Sequence, residues 1–335
     1  MQAPNPVLPN RPGRITSWLH HAPYALAGGL LLALLLWGEK FWLTNDDIGM
    51  SMIVGGYGTA ATPSPGIVLE TNVIWGWLLM HVPDVAGIRG YTLATYTLLL
   101  LSCFTIFVAL RRLDVPRLSA AAVLVAMYAG VILYPQFTLL SGYLAVAGFA
   151  LVLASDAGNL RRSMLAAAPL LLLSGLIRPD EMALVFLVSS PFLAQAWRKH
   201  SDRRWRLHWL GLACGSALLL GGASLYSLHY NSSGAWQNYE DIDSLRSEIT
   251  DYGLGTYFLR HQSELKDSGL SENDVNMMRS FFFLDPKVFN SARFAPLVDS
   301  VSLIHRLQMN FGRFDKFVKV FEDPWLLTML GMFLA

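Results

Sequence analysis

The sequence predicts an all-α integral membrane protein: a multi-spanning helical bundle carrying a small helical domain outside the membrane. Three observations predict it. Of the 335 residues, 53% are hydrophobic and only 15% are charged, where soluble domains are about one-quarter charged. Apolar stretches close to the roughly 20 residues needed to cross a hydrocarbon core as a helix recur along the chain. Lys and Arg gather at every second junction between those stretches, the pattern of cytoplasmic loops that retain positive charge. The formal net charge of +1 carries no information about nucleic acid, and no nucleic-acid partner is expected.

The elements follow in order. A Pro-rich first dozen residues reads as disordered. The first span, Ala22–Leu43, ends in Leu36-Trp37-Gly38-Glu39, which lacks the small-x-small pattern of a signal-peptidase site, so a retained signal anchor is expected. Further spans read as Gly90–Leu110, Leu118–Tyr134, Thr138–Ala154, Met164–Ile177, Met182–Trp197 and Leu207–Leu228, and an eighth begins at Trp325. As far as Ala335 that last stretch covers about half of a hydrocarbon core, which reads as an incomplete span in a fragment of a longer protein. Arg11 and Arg14 precede the first span. Arg111, Arg112 and Arg117 separate the second from the third, and Arg161 and Arg162 the fourth from the fifth. Arg198, Lys199, Arg203, Arg204 and Arg206 separate the sixth from the seventh. The alternate junctions carry only Lys40, Arg89 and Arg178. This places the N-terminus in the cytoplasm and both Asp46–Arg89 and His229–Asp323 outside. The organisation expected is a membrane domain over 1–228 with an outer acidic segment at 44–89, an extracytoplasmic helical domain over 229–323, and the start of an incomplete span over 324–335.

In the outer acidic segment, Gly55-Gly56-Tyr57-Gly58 and Pro63-Ser64-Pro65-Gly66 supply turns. Asn72–His81, with Trp75 and Trp77, reads as a short helix in the headgroup region, the alternative being the start of a long, tilted second span. In the outer domain, Ser271-Glu272-Asn273-Asp274 starts a capped helix, with Ser271 as N-cap. Gly269 stops a preceding helix, Tyr257–Lys266, and Asp285-Pro286 ends the run. Phe281-Phe282-Phe283 reads as core or membrane-contacting surface. Cys103 and Cys214 fall inside spans, leaving the outer segments no disulfide framework or thiolate zinc site.

Two constellations suit chemistry. Asp46 and Asp47 stand in Thr44-Asn45-Asp46-Asp47, just past the first span. On an extended stretch adjacent side chains diverge, so one of the pair is expected to face a shared site. A carboxylate at a partly desolvated membrane boundary suits a general base, or a hard-oxygen ligand for a divalent cation such as magnesium or manganese. The bland alternative is a solvated helix terminus. In Arg178-Pro179-Asp180-Glu181, Pro179 suits the first turn of the sixth span, and Asp180 and Glu181 suit its positive dipole end. Arg178 stands alone as the basic residue of an outer junction. Its planar fork suits a lipid phosphate, or an ion pair with Asp180 or Glu181. Gln136, Ser141 and Tyr143, beside Pro135, suit sugar hydroxyls or simply finish helix ends. His81, His229 and His261 lack ligand spacing.

With these residues in place, the chain resembles the polyprenol-dependent, multi-spanning glycosyltransferases of the C-type fold. The resemblance rests on the acidic pair Asp46-Asp47 after the first span and on the interfacial helix around Asn72–His81. It rests also on Arg178-Pro179-Asp180-Glu181 at a later outer junction and on an outer domain after the seventh span. More narrowly, Thr44-Asn45-Asp46-Asp47, Pro63-x-Pro65, Asn72-x-x-x-Gly76 and Ser271-Glu272-Asn273-Asp274 are similar to bacterial envelope proteins of surface-polysaccharide assembly. The wider resemblance implies an enzyme of the bacterial inner membrane. It would move a sugar from a polyprenyl-phosphate donor to a glycan, lipid or protein acceptor on the outer side. It gives Asp46 or Asp47 the role of acceptor base or metal ligand and Arg178 that of phosphate holder, with Asp180, Glu181, Gln136 and Tyr143 as substrate contacts. Two departures stand out: no histidine follows the acids, and the C-terminal helices that complete the donor groove in that family are missing. The alternatives are a polysaccharide polymerase, or a non-catalytic transporter or scaffold subunit of envelope glycan assembly. The near-absence of ionisable residues inside the spans weighs against a transport path.

Overall fold

The computed structural model describes residues 14–306 except 59, 61, 68–70, 157, 200–202, 281–284, 286, 303 and 305, with side chains from His21 onward apart from Ala235 and Asn238. The Pro-rich start, Phe281–Phe283 and the stretch after Trp325 lie outside these residues. Every regular element described is an α-helix, and no strand occurs among the described residues. The chain divides between Tyr230 and Asn231 into two compact units.

The first unit holds α1 (Arg14–Trp37), α2 (Asn45–Gly55), α3 (Val73–Met80), α4 (Gly90–Arg112), α5 (Arg117–Leu133), α6 (Phe137–Leu153), α7 (Leu160–Ile177), α8 (Pro179–Lys199) and α9 (Arg203–Asn231). Each of the seven stretches read as spans holds a helix, although in the first, Ala22–Leu43, the helix ends at Trp37 and 38–43 are not helical. Of these, α4, α7 and α9 are long and apolar enough to cross a membrane. The apolar parts of α1, α5 and α6 are 17 residues each, or about 25 Å, somewhat short of a ~30 Å core. In α8 the acids Asp180 and Glu181 and the bases Arg198 and Lys199 occupy the two ends. An all-helical structure with three helices of that length and apolarity is compatible with a helical membrane protein.

Packing centres on α6, which lies against α4, α7 and α8, while α1 lies along α5. Lipid is as apolar as a leucine side chain, so close fit rather than water exclusion holds such helices together. The sequence of α6 supplies it: Ala145, Ala147 and Gly148 are buried, and a Cβ on Gly148 would stand 2.8 Å from Leu171 of α7. By contrast α8 and α9 present Leu187, Val188, Phe192, Leu218, Leu225 and Leu228 outward, the surface expected to meet hydrocarbon. Cys103 is half-buried, whereas Cys214 is exposed on α9.

The loop between α1 and α4 is built rather than slack. Gly56 ends α2 in the left-handed region at φ 62°, and its N–H returns to the Met52 carbonyl. Asn72 caps α3 by accepting from the Ile74 N–H. The Val73 N–H donates to Ser227 of α9 and the Asn72 N–H to the Leu176 carbonyl of α7. Gly76 lets the Pro65 backbone press onto α3, where a Cβ would sit 1.9 Å from the Pro65 oxygen. An irregular stretch, 81–89, separates α3 from α4, so α3 is a helix of its own and not the start of the next span.

In the second unit, α10 (Gly234–Thr250), α11 (Leu254–Arg260), α12 (Gln262–Asp267), α13 (Glu272–Arg279) and α14 (Ser291–Ser300) close over a core that includes Phe258, Leu265, Val275, Met278, Phe294 and Leu297. The start of α13 is a complete capping box between Ser271 and Asp274. The helix expected over Tyr257–Lys266 is instead two. His261 leaves helical geometry at φ −117°, ψ 62° and stacks on Tyr257 at 4.1 Å. Phe258 of α11 and Leu265 of α12 both lie in this core.

Candidate functional site

Thr44–Asp47, expected as an extended stretch, is the start of a helix. Thr44 occupies the N-cap in β geometry, and Asp46 and Asp47 fall in the first turn of α2, where carboxylates meet the positive dipole end. The two acids separate sharply: Asp46 is exposed and Asp47 is fully buried. The Asp47 carboxylate accepts from the Tyr91 hydroxyl at 2.7 Å and the Phe137 N–H at 3.0 Å on Oδ1, and from the Thr44 hydroxyl at 3.1 Å on Oδ2. Trp42 packs on the Tyr91 ring at 5.4 Å. Phe137 opens α6, whose N-cap residue Gln136 makes no side-chain cap. Asp47 therefore caps α6 from 90 residues away, tying α2, α4 and α6 at one point.

Phe137 also links this point to Arg178. The Arg178 guanidinium lies over the Phe137 ring, 5.4 Å from its centroid, and Nη1 donates to the Thr138 hydroxyl at 3.2 Å. The Ser141 hydroxyl donates to the carbonyls of Ser174 and Arg178, at 2.9 and 3.1 Å. These bonds fix the extended break at Arg178 before Pro179 starts α8. Asp47 and Arg178, 131 positions apart in sequence, thus meet through the first two residues of α6.

The remaining candidates divide. Gln136, half-exposed, sits beside Phe137. Asp180 is exposed and Glu181 half-exposed in the first turn of α8. Tyr143 lies elsewhere: its hydroxyl donates to the Met127 carbonyl and its ring packs on Tyr128 at 4.9 Å, so it ties α6 to α5 inside the bundle. Its expected sugar contact gives way to that packing role. A divalent cation held by both acids does not fit this geometry, because one carboxylate is exposed and the other is buried with three donors upon it. Among the described residues no group of three or more His, Cys, Asp or Glu side chains converges to hold a metal.

A polar recess of about 210 Å³ opens beside Tyr91, lined in part by Ser51, Tyr57, Asp84 and Arg89. Arg89 lies over the Tyr57 ring at 4.1 Å and pairs with Asp84 at 2.7 Å. The Gly90 N–H, then Arg89, hold the Asp84 carboxyl below the usual carboxylate range. Tyr57 and Ser51 share a 2.6 Å hydrogen bond. Paired charge, hydroxyls and an aromatic ring suit a polyol. Sequence reasoning passed over these residues, although Asp84, six positions before the start of α4, carries a capping signal: its Oδ1 accepts the Gly90 N–H at 2.8 Å. A second cavity, apolar and about 240 Å³, lies among α6, α7, α8 and α9, with Met182, Phe186, Leu171 and Leu220 in its wall. Met182 stands one helical turn beyond Arg178.

Burial outweighs its three donors and pushes the Asp47 carboxyl up to about 6, from 3.8, with Asp46 adding to the rise. The folded state therefore holds this proton more tightly than the unfolded chain does. Stability should be full below about pH 4 and fall as pH rises through 6, by an amount on the order of 3 kcal/mol. Asp47→Asn keeps acceptors for Tyr91 and Phe137 and should abolish that slope. Hydrogen exchange of α2 between about pH 4 and pH 8, corrected for intrinsic rate, measures it. An unchanged slope in the variant would assign the dependence to another group.

No family model, curated protein or solved structure matches this chain. Its functional reading therefore rests on its own residues and their geometry.

Proposed function

We propose that this chain is a membrane glycosyltransferase that moves a sugar from a polyprenyl-phosphate donor to a glycan, lipid or protein hydroxyl on the outer side of the bacterial inner membrane. The observation that carries the reading is the meeting of Asp47, with Asp46 beside it in the first turn of α2, and Arg178 at the start of α6. An exposed carboxylate and a guanidinium flank the start of α6, which Asp47 caps, beside a polar recess and one turn from an apolar cavity. That set matches the parts of a lipid-linked sugar: phosphate, pyranose and isoprenoid chain.

In this reading Asp46 accepts the proton of the acceptor hydroxyl as its oxygen bonds to the anomeric carbon. The bond from that carbon to the phosphate oxygen breaks, and polyprenyl phosphate leaves with the electron pair. Arg178 offsets the charge that develops on the departing phosphate. Asp47 holds the first turn of α2 and the first turn of α6 in register, so it positions both groups while staying out of reach of substrate. Gln136, next to Phe137, and Asp180 and Glu181, in the first turn of α8, would serve the sugar or the acceptor.

The topology that goes with this function has the N-terminus in the cytoplasm. Reporter fusions after His81, Pro179 and Ser268 should report outside, and fusions after Pro116, Gly158 and Ser201 inside. A cytoplasmic signal at Ser268 would overturn the outer placement. The function itself is tested by a deletion strain and by purified protein. The strain should accumulate a polyprenyl-linked sugar and lose a surface glycan. The protein should release polyprenyl phosphate from a synthetic polyprenyl-phosphate sugar in the presence of an acceptor. Unchanged lipid-linked sugars together with no release would sink the proposal.

A further inference from the structure

At the basic end of the bundle, where α4 turns into α5, a cavity of about 280 Å³ is lined by Tyr24, Arg111, Asp114, Val115, Pro116 and Arg117. The acidic pair and Arg178 take no part in it. Its chemistry is cationic. Arg111 reaches over the Tyr24 ring, 5.7 Å from the centroid, and Arg117 is the first residue of α5. The N-cap of α5 is Pro116, which makes no side-chain cap, so the first-turn N–H groups lack intrahelical acceptors and the positive dipole end faces the site. Asp114, held at φ 53°, is the one acid among the lining residues. The Tyr24 hydroxyl is buried and finds no hydrogen-bond partner among the described residues. A buried phenol left unpaired costs free energy on the scale of a lost hydrogen bond, and an acceptor entering this cavity would supply the missing bond.

The depth of the cavity and what adjoins it narrow the ligand. Tyr24 stands where the polar start of α1 gives way to its apolar run. Phe107 of α4 meets the Tyr24 ring edge-on at 5.0 Å. One and two turns farther along α4, Phe104 and Leu100 are 63% and 46% exposed. An apolar strip therefore runs from the cavity along the outer face of a helix long and apolar enough to span the membrane. A ligand with an anionic, acceptor-rich head and a hydrocarbon chain fits both halves.

The geometry points to a binding site for the phosphate of an anionic phospholipid, held by Arg111, Arg117, the Tyr24 hydroxyl and the N-terminus of α5, with the lipid chain along Phe104 and Leu100. The site is independent of the proposed sugar transfer. It differs from a general attraction of basic loops to anionic lipid in needing a phenol hydroxyl and one helix start. Free inorganic phosphate shares the head chemistry and lacks the chain.

Native mass spectrometry of the full chain released from detergent tests it, with phosphatidylglycerol, phosphatidylcholine and inorganic phosphate as separate probes. The intact protein should keep one phosphatidylglycerol in about tenfold preference to phosphatidylcholine, the scale of a charge-assisted contact. The double change Arg111→Gln, Arg117→Gln should erase the preference, and Tyr24→Phe should reduce it severalfold. Asp114→Asn should raise it, a gain that misfolding cannot produce, and asparagine accepts a positive φ readily. Equal retention of the two lipids by the unaltered protein overturns the proposal, as does an undiminished preference in the double variant. Retention of inorganic phosphate without any lipid preference assigns the cavity to a free anion and overturns the lipid assignment.

Discussion

Asp46→Asn should lower sugar transfer by about a hundredfold or more, the scale of general-base loss, while the protein accumulates in the membrane normally. The side chain is exposed at the first turn of α2, so the substitution removes a charge without disturbing the packing beneath it. Asp47→Asn should cost far less activity, because its carboxylate is buried and its Tyr91 and Phe137 donors find an acceptor in the amide. Asp47→Ala differs in kind. It leaves the Tyr91 hydroxyl, the Phe137 N–H and the Thr44 hydroxyl without their acceptor, at roughly 1–3 kcal/mol for each group left unsatisfied, and should reduce accumulation before it reduces turnover. Transfer rates measured per folded molecule separate the two acids. Full transfer by Asp46→Asn ends the mechanism proposed here, and the exposed acid is then a solvated helix terminus.

Arg178→Lys should lose most transfer activity, since a point charge cannot reproduce a bidentate fork on a phosphate. Arg178→Ala should in addition weaken binding of the polyprenyl-phosphate donor. The native side chain is already positioned, with Nη1 on Thr138 at 3.2 Å and its face over Phe137. Thr138→Val, which removes that acceptor at similar volume, should therefore raise the KM for donor more than it lowers kcat. Measuring donor binding and turnover separately, with thermal stability as the control, distinguishes phosphate recognition from a structural tie between α6 and α7. If the Lys and Ala variants both transfer sugar normally, Arg178 has no part in the reaction. If both fail to accumulate, its role is structural.

The all-helical class, the approximate positions of the long helices of the first unit and the capped start of α13 follow from composition, apolar run length and local capping chemistry. These are short-range properties, written in consecutive residues. Helix α10, polar along much of its length, gave no such signal. The helix at Thr44–Gly55 was legible too: Thr44 followed three positions later by Asp47 is a capping pattern, and Gly55-Gly56 is a stop. In the second unit the break at His261 was not legible, because no proline or glycine stands at it and Phe258 and Leu265, seven positions apart, would share one face of an unbroken helix as well.

The division of labour between the two acids belongs to tertiary structure alone. Asp46 and Asp47 are chemically alike and adjacent, and only the arrival of Tyr91 and the start of α6 decides which is buried. The same holds for the meeting of Asp47 with Arg178 through Phe137 and for the recess around Arg89 and Tyr57. It holds also for the unpaired Tyr24 hydroxyl among arginines of a distant turn. The sequence by itself determined which residues carry charge and roughly where the long apolar helices lie, because capping and hydropathy act over a few residues. Which charges meet was decided by the packing of helices far apart in the chain, because burial and hydrogen-bond partners are properties of three-dimensional neighbours.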